Sequence, residues 1–343
     1  MRKTSSLMAG LLSIFLLAGC GGGGGGGSSA SLYTGLTSQA SLTQDNVVDV
    51  TTQAYQAGDR TVSAATVTPL GEPGPGPSEA GDSRAVSLVR MLRDVVENVE
   101  RPPVSPSRPL SATGAVPMEE VTESGTMSDG FGGTASYTLT MNTDTGDFRG
   151  TFTFSSWHGD VDSMISGTTS VTGHFDETAG EINHIQFTFH AVTMVDGADS
   201  VTITGTVDLS VTLLPGTASV TATVEMYLGD NGSGKTVWLH EYTVTVTEGP
   251  DESPFDGIPD YTEVAVSGRI YLHDYGCVDV FTPTPFRVYD GSANSASGVF
   301  RIEGSEERSA RLVVIDESTG YYVEADLEPD GTYEWTSITY PWP

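Results

Sequence analysis

The sequence predicts a mainly β protein: an antiparallel meander forming a barrel or curved half-barrel, with one N-terminal amphipathic helix packed on it. Three observations carry that expectation. Beyond residue 119, apolar and polar side chains alternate with a period of two. Val201, Ile203, Val207, Leu209 and Val211 oppose Thr202, Thr204, Thr206, Asp208, Ser210 and Thr212, the spacing that puts strand neighbours on opposite faces. Short turn clusters such as Asn142–Asp147, Pro215-Gly216 and Gly229–Lys235 separate the runs, and links that short make hairpins rather than crossovers. Upstream, Ala85, Leu88, Val89, Leu92, Val95, Val96 and Val99 recur at three- and four-residue steps, laying one apolar stripe along a helix.

Taken in order, the chain opens with Arg2-Lys3, an apolar run from Leu7 to Leu17, and then Leu17-Ala18-Gly19-Cys20. A basic start, a short apolar core and small residues before a cut site make residues 1–20 a secretory signal. The run is shorter than the roughly 20 residues a bilayer span needs. Its last four residues resemble the lipobox of bacterial lipoprotein signal peptides. The resemblance implies cleavage before Cys20 and acylation of that residue, so that acyl chains join the mature chain to the membrane. Gly21, where such lipoproteins use aspartate for inner-membrane retention, implies the outer membrane, facing the periplasm or the cell surface.

Residues 21–34 form a tether that begins with the unbroken run Gly21–Gly27 and Ser28-Ser29; the glycine-rich part reaches roughly 15–20 Å as a flexible coil. Residues 35–81 hold a short helical segment, capped by Thr43 or Asp45 and reaching Ala57, and then a Pro/Gly linker. Asp82-Ser83 opens the amphipathic helix of 82–101, and Pro102-Pro103 stops it. Its other face (Arg84, Arg90, Arg93, Asp94, Glu97, Glu100) is not strongly basic, so the stripe is expected to pack on the sheet rather than lie on a membrane. A Pro-rich linker, 102–118, leads to the β domain, 119–343, with a subdivision near 249–260 left open.

A twisted meander of this length must curl, split or close. In-facing glycines (Gly150, Gly167, Gly173, Gly205, Gly268) suit bends and close backbone approach. A transmembrane barrel would show the same alternation with an apolar outside and a polar lumen, and stands as an alternative.

The chain has 343 residues and a net charge of −30. Loss of Arg2 and Lys3 leaves 13 basic against 45 acidic side chains, a net −32. That field repels phosphate backbones, so nucleic acid is not a partner. Of the two cysteines, acylation consumes Cys20 and leaves Cys277 without a disulfide partner in the chain. Cys277 reads as a half-buried small residue, because His273 and Asp274 stand across a turn from it.

Gly229-Asp230-Asn231-Gly232-Ser233-Gly234-Lys235-Thr236 has Walker A spacing. The residues after it alternate as a strand where a P-loop needs a helix N-terminus, so hairpin chemistry is expected. Acidic loops are the better candidates for a site. Asp251, Asp256 and Asp260, around Asp256-Gly257, resemble the calcium repeats of thrombospondin type 3 segments, although Ser253, Pro254 and Phe255 replace the usual alternate aspartates. Asp326, Asp330 and Glu334 form a comparable set around Asp330-Gly331, and Asn142, Asp144 and Asp147 a sparser one. Calcium wants six to eight oxygens, so each set needs carbonyls and water, and ordinary Asx turns are the favoured reading of each. His184 and His190 share a polar face roughly 20 Å apart, too far to share a metal. His240 falls between Trp238 and Tyr242 on the apolar face. No Gly-x-Ser-x-Gly elbow or His-Glu-x-x-His helix occurs.

These readings describe a lipid-anchored, non-catalytic binding or structural module with an acidic surface, needing no cofactor beyond calcium. Its partner is an envelope protein or an apolar ligand. The alternative is a periplasmic carrier of a lipid or apolar ligand. At the level of fold only, a half-barrel with a helix plug is how lipoprotein-sorting chaperones hold acyl chains. A carrier requires a pocket of several hundred cubic ångströms.

Overall fold

The computed structural model describes residues 32–65, 120–129, 131–158, 163–176, 181–196, 199–214, 217–249, 261–289, 292 and 294–342. The expected helix of 82–101 lies outside them, as do the glycine tether and residues 250–260. Helix α1 (Val47–Ala65) precedes fourteen strands. The first seven are β1 (Glu120–Ser128), β2 (Thr134–Asn142), β3 (Asp147–His158), β4 (Ser163–Asp176), β5 (Glu181–Asp196), β6 (Asp199–Leu214) and β7 (Thr217–Asp230). The rest are β8 (Thr236–Glu248), β9 (Tyr261–Leu272), β10 (Gly276–Tyr289), β11 (Ser297–Glu303), β12 (Ser309–Asp316), β13 (Gly320–Asp326) and β14 (Trp335–Thr336).

Each strand pairs with the next in chain order, so one open sheet runs from β1 to β14, a curved half-barrel made wholly of antiparallel neighbours. The alternation fixes its faces. Phe152, Phe187, Val224, Val244 and Ile270 are fully buried on the inner face, and burying each such side chain is worth about 1.5–3 kcal/mol. On the outer face Ser124, Thr138, Thr151, Ser170, Thr188 and Thr206 stand side by side in register, as β-branched polar residues suit a pleated, half-solvated surface. Apolar inside and polar outside is the reverse of a barrel that faces lipid.

Helix α1 fills the concavity of the C-terminal half, contacting β7, β8, β9, β11, β12 and β13. Its buried positions, Val47, Val50, Thr51, Ala54 and Ala57, follow the helical repeat. Small side chains let the helix approach closely: a Cβ on Gly58 would lie 2.3 Å from the Tyr242 hydroxyl. Thr43 stands at the turn that enters the helix, its carbonyl accepting the Asn46 N–H at 3.2 Å and the Val47 N–H at 2.9 Å. Asn46 Oδ1 accepts the Thr43 N–H at 2.9 Å, and Asn46 Nδ2 donates to the Ser41 carbonyl at 2.9 Å.

A seam of bulges creases the sheet. Ser156, Ala191 and Glu241 have positive φ (49°, 53° and 48°), and the ladders lose register beside them in β3–β4, β5–β6 and β8–β9. Glycines with positive φ face these points, among them Gly205 (137°) and Gly268 (141°). A Cβ on Gly205 would meet the Glu225 carbonyl oxygen at 2.1 Å, and one on Gly268 the Tyr242 Cα at 2.6 Å. An added residue on one strand and a glycine on its neighbour bend both together, which is how a sheet turns a corner.

The crease also corrects one assignment. Simple alternation puts Trp238, His240 and Tyr242 on one face. The bulge at Glu241 resets the period, so Leu239 and Tyr242 are buried inside while Trp238 and His240 lie together on the outer face, ring centroids 4.9 Å apart.

Candidate functional site

The segment before α1 straps one end of the sheet. Leu36 N–H donates to the His273 carbonyl (3.1 Å), Cys277 N–H to Ser38 (2.9 Å), Ala40 N–H to Cys277 (2.8 Å) and Ser305 N–H to Ala40 (2.8 Å). Arg308 Nη1 donates to the Leu42 carbonyl at 2.9 Å, and Leu42 itself is fully buried in the main core. The strap therefore runs from the β9–β10 turn to the β11–β12 turn before the chain enters the concavity as α1. The turns at 230–235, 273–275 and 304–308 share this end; those at 143–146 and 317–319 mark the other.

Tyr33 begins the strap on the outer face. Its ring packs against Tyr271 (5.7 Å, edge-on) and Trp238 (6.3 Å), which stack on each other at 4.3 Å. Burial pushes the Tyr33 phenol well above its ordinary value, with Tyr271 and Asp274 adding to the shift. Glu225 organises the neighbourhood: Oε1 accepts Trp238 Nε1–H at 2.7 Å, and Oε2 lies 2.9 Å from His240 Nδ1 and accepts the Glu241 N–H at 3.2 Å. One carboxylate thus holds both the outer rings and the bulge.

On the inner side, Tyr55 of α1 meets Phe286 (5.6 Å), Phe300 (5.8 Å) and Tyr321 (6.4 Å), and Trp342 closes on Tyr55 at 6.5 Å. Beneath Tyr55, a cavity of about 50 Å³ is lined by Tyr242, Val264, Val266, Phe286, Val288 and Ser295 among others. Its lining residues Val264, Val288 and Ser295 lie near the start of β9, the end of β10 and the β10–β11 connection. The cavity has room for a few water-sized groups, far below the several hundred cubic ångströms of an acyl-chain carrier.

Of the residues singled out from the sequence, Cys20, Asp251, Asp256 and Asp260 lie outside the described residues. Asp326, Asp330 and Glu334 share one loop, where their carboxylates are engaged by backbone amides. Asp326 accepts Asp330 N–H (3.3 Å) and Gly331 N–H (2.8 Å), Asp330 accepts Thr332 N–H (2.8 Å), and Glu334 accepts Leu327 N–H (2.7 Å). Asn142 likewise accepts Asp144 N–H at 2.9 Å, as in an Asx turn. Among the described residues no group of three or more His, Cys, Asp or Glu side chains is arranged to hold a metal ion.

The histidines bind separate partners: His184 sits 3.1 Å from Asp208 and His190 2.8 Å from Ser170. His158 Nδ1 lies 2.8 Å from Asp129 Oδ2. Burial works against ionisation of Asp129, but the amide and ring of His158 and the amides of Phe131 and Gly133 outweigh it and hold the carboxyl far below the usual range. The glycine loop with Walker A spacing is the β7–β8 hairpin turn, with Asp230 N–H donating to the Lys235 carbonyl at 2.9 Å and Lys235 paired to Asp274 at 2.6 Å.

Cys277 is 1% exposed and disulfide-bonded, which departs from the unpaired thiol expected. With two cysteines in the chain, acylation of Cys20 requires that Cys277 be reduced in the anchored protein or bonded to another molecule. Each described Arg or Lys side chain, from Arg149 to Arg311, sits within 3.2 Å of a carboxylate. Such pairs add little stability at a surface, but they leave the described surface without an uncommitted cation for an anionic ligand. Sequence reasoning missed Tyr55 and the strap, because no local pattern marks a segment whose pinning backbone hydrogen bonds, at Leu36, Ser38 and Ala40, are to distant turns.

Compared with protein-family models, curated proteins and solved structures, the chain matches none.

Proposed function

We propose that this chain is a lipid-anchored, non-catalytic binding module of the bacterial outer membrane, with acyl chains on Cys20, a glycine tether, and an acidic half-barrel that meets envelope partners. The observation that carries the reading is Leu17-Ala18-Gly19-Cys20 followed directly by seven glycines, a cut site and leash placed ahead of a strap that pins the fold. The polar outer face supports an anchored domain over a bilayer-spanning one. In the C-terminal half, the concavity taken up by α1, with about 50 Å³ left beneath Tyr55, supports surface recognition over carriage of an apolar ligand there. The pairing of every described cation fits partners that are neutral or basic.

Fractionation of cells expressing the Cys20→Ser variant tests the anchor. The variant is expected in the soluble envelope fraction, while the parent chain stays in the membrane through high-salt and carbonate washing. A variant as firmly membrane-bound as the parent overturns the reading, because the strands themselves would then be held by lipid.

A further inference from the structure

The strap also fixes which way the domain stands, provided the anchor proposed above is real. Tyr33 is clamped at the end that carries the 230–235, 273–275 and 304–308 turns. Between it and Cys20 lie 12 residues, which span about 17–21 Å as a glycine-rich coil. The domain is longer than that leash: β10 has 14 residues, about 46 Å along its own length. A leash that leaves one end of a longer body keeps that end nearest the membrane.

We infer that the half-barrel is held end-on, with the strapped turns toward the bilayer and the opposite end displayed outward. That outward end carries the turn at 317–319 and the residues that flank the acidic segment 250–260 in the sequence, Gly249 and Tyr261. Uncharged glycine is the right material for the leash. Besides the Lys235–Asp274 and Arg308–Glu306 pairs, the near end bears Asp230, Glu307 and Asp330, a net negative set that a headgroup layer containing anionic lipid repels at short range. The domain is therefore expected to stand off by the length of the tether rather than settle on the surface.

The test uses the full acylated chain in phosphatidylethanolamine/phosphatidylglycerol vesicles that contain a headgroup-nitroxide lipid. Glu307→Cys (near end) and Glu317→Cys (far end) each carry a bimane probe, and both residues are exposed. Nitroxide quenching of the Glu307→Cys probe is expected to be at least twofold stronger. Inserting a further ten Gly/Ser residues after Gly27 is expected to shrink that difference without touching the fold. Equal quenching at the two positions, or a difference that ignores tether length, overturns the inference. Failure of the chain to float with the vesicles would instead refute the anchor, so the two failures are distinct.

Discussion

Gly205→Ala probes the crease that gives the sheet its curvature. Gly205 has φ 137°, a conformation that costs a non-glycine residue about 1–3 kcal/mol. Its new methyl would also lie 2.1 Å from the Glu225 carbonyl oxygen and 2.8 Å from the Met226 Cα. Both atoms belong to the paired backbone of β7, so no side chain can swing aside. Relief requires a shift of the strand, which adds about 1–3 kcal/mol by analogy with overpacked cores. The expected loss is therefore about 2–6 kcal/mol, a large part of the roughly 5–15 kcal/mol that holds a domain together.

Gly331→Ala is the matched control. Its φ is 85°, but nothing lies within 4 Å of the added Cβ, so only the left-handed backbone cost of about 1–2 kcal/mol applies. Urea unfolding followed by tryptophan fluorescence measures both, with a shift in midpoint at constant slope reporting stability alone. If Gly205→Ala costs no more than Gly331→Ala, β6 and β7 do not approach each other as described and the seam is not what bends the sheet.

Leu42→Ala removes the fully buried side chain that seats the strap in the core, with an expected loss of about 2–5 kcal/mol in the same assay; a change under about 0.5 kcal/mol would mean that the strap is not anchored there. Acid stability has a predictable window at Asp316. The Thr319 and Ser318 hydroxyls and backbone amides push its carboxyl down to about 2, against about 3.9 when unfolded. A folded value below the unfolded one stabilises the protein above about pH 4, and that stabilisation drains away as the pH falls toward about 2. Unfolding midpoints measured across that window should fall less steeply for Asp316→Asn than for the parent chain, and identical slopes would show that the carboxylate is not so held.

The sheet was legible because its information is local. Thr202 to Thr212 alternates with Val201 to Val211 along one strand, and the turn after it is short. Errors arise where one residue breaks the period. At Glu241, which carries no turn residue, only the Glu225 carboxylate and the facing Gly268 reveal the bulge, and both are distant in sequence. Helix α1 was faintly legible for a related reason. Val47, Val48, Val50 and Thr51 are poor helix formers in isolation, and the segment is held by Ala54, Ala57 and Gly58 against β8 and β9 rather than by propensity. The acidic loops could be read as turns or as metal ligands, because a carboxylate's chemistry is the same for either use. For Asp326 and Glu334 it is the register of β13 and the following loop that brings backbone amides within 2.8 and 2.7 Å.

Mass spectrometry of the native protein extracted from membranes tests the central claim most directly, since it reads the chemistry at Cys20. The account predicts a mature chain beginning at Cys20 and carrying acyl chains on that residue. A chain that retains residues 1–19, or one whose Cys20 is found linked to Cys277 and bears no lipid, would contradict it.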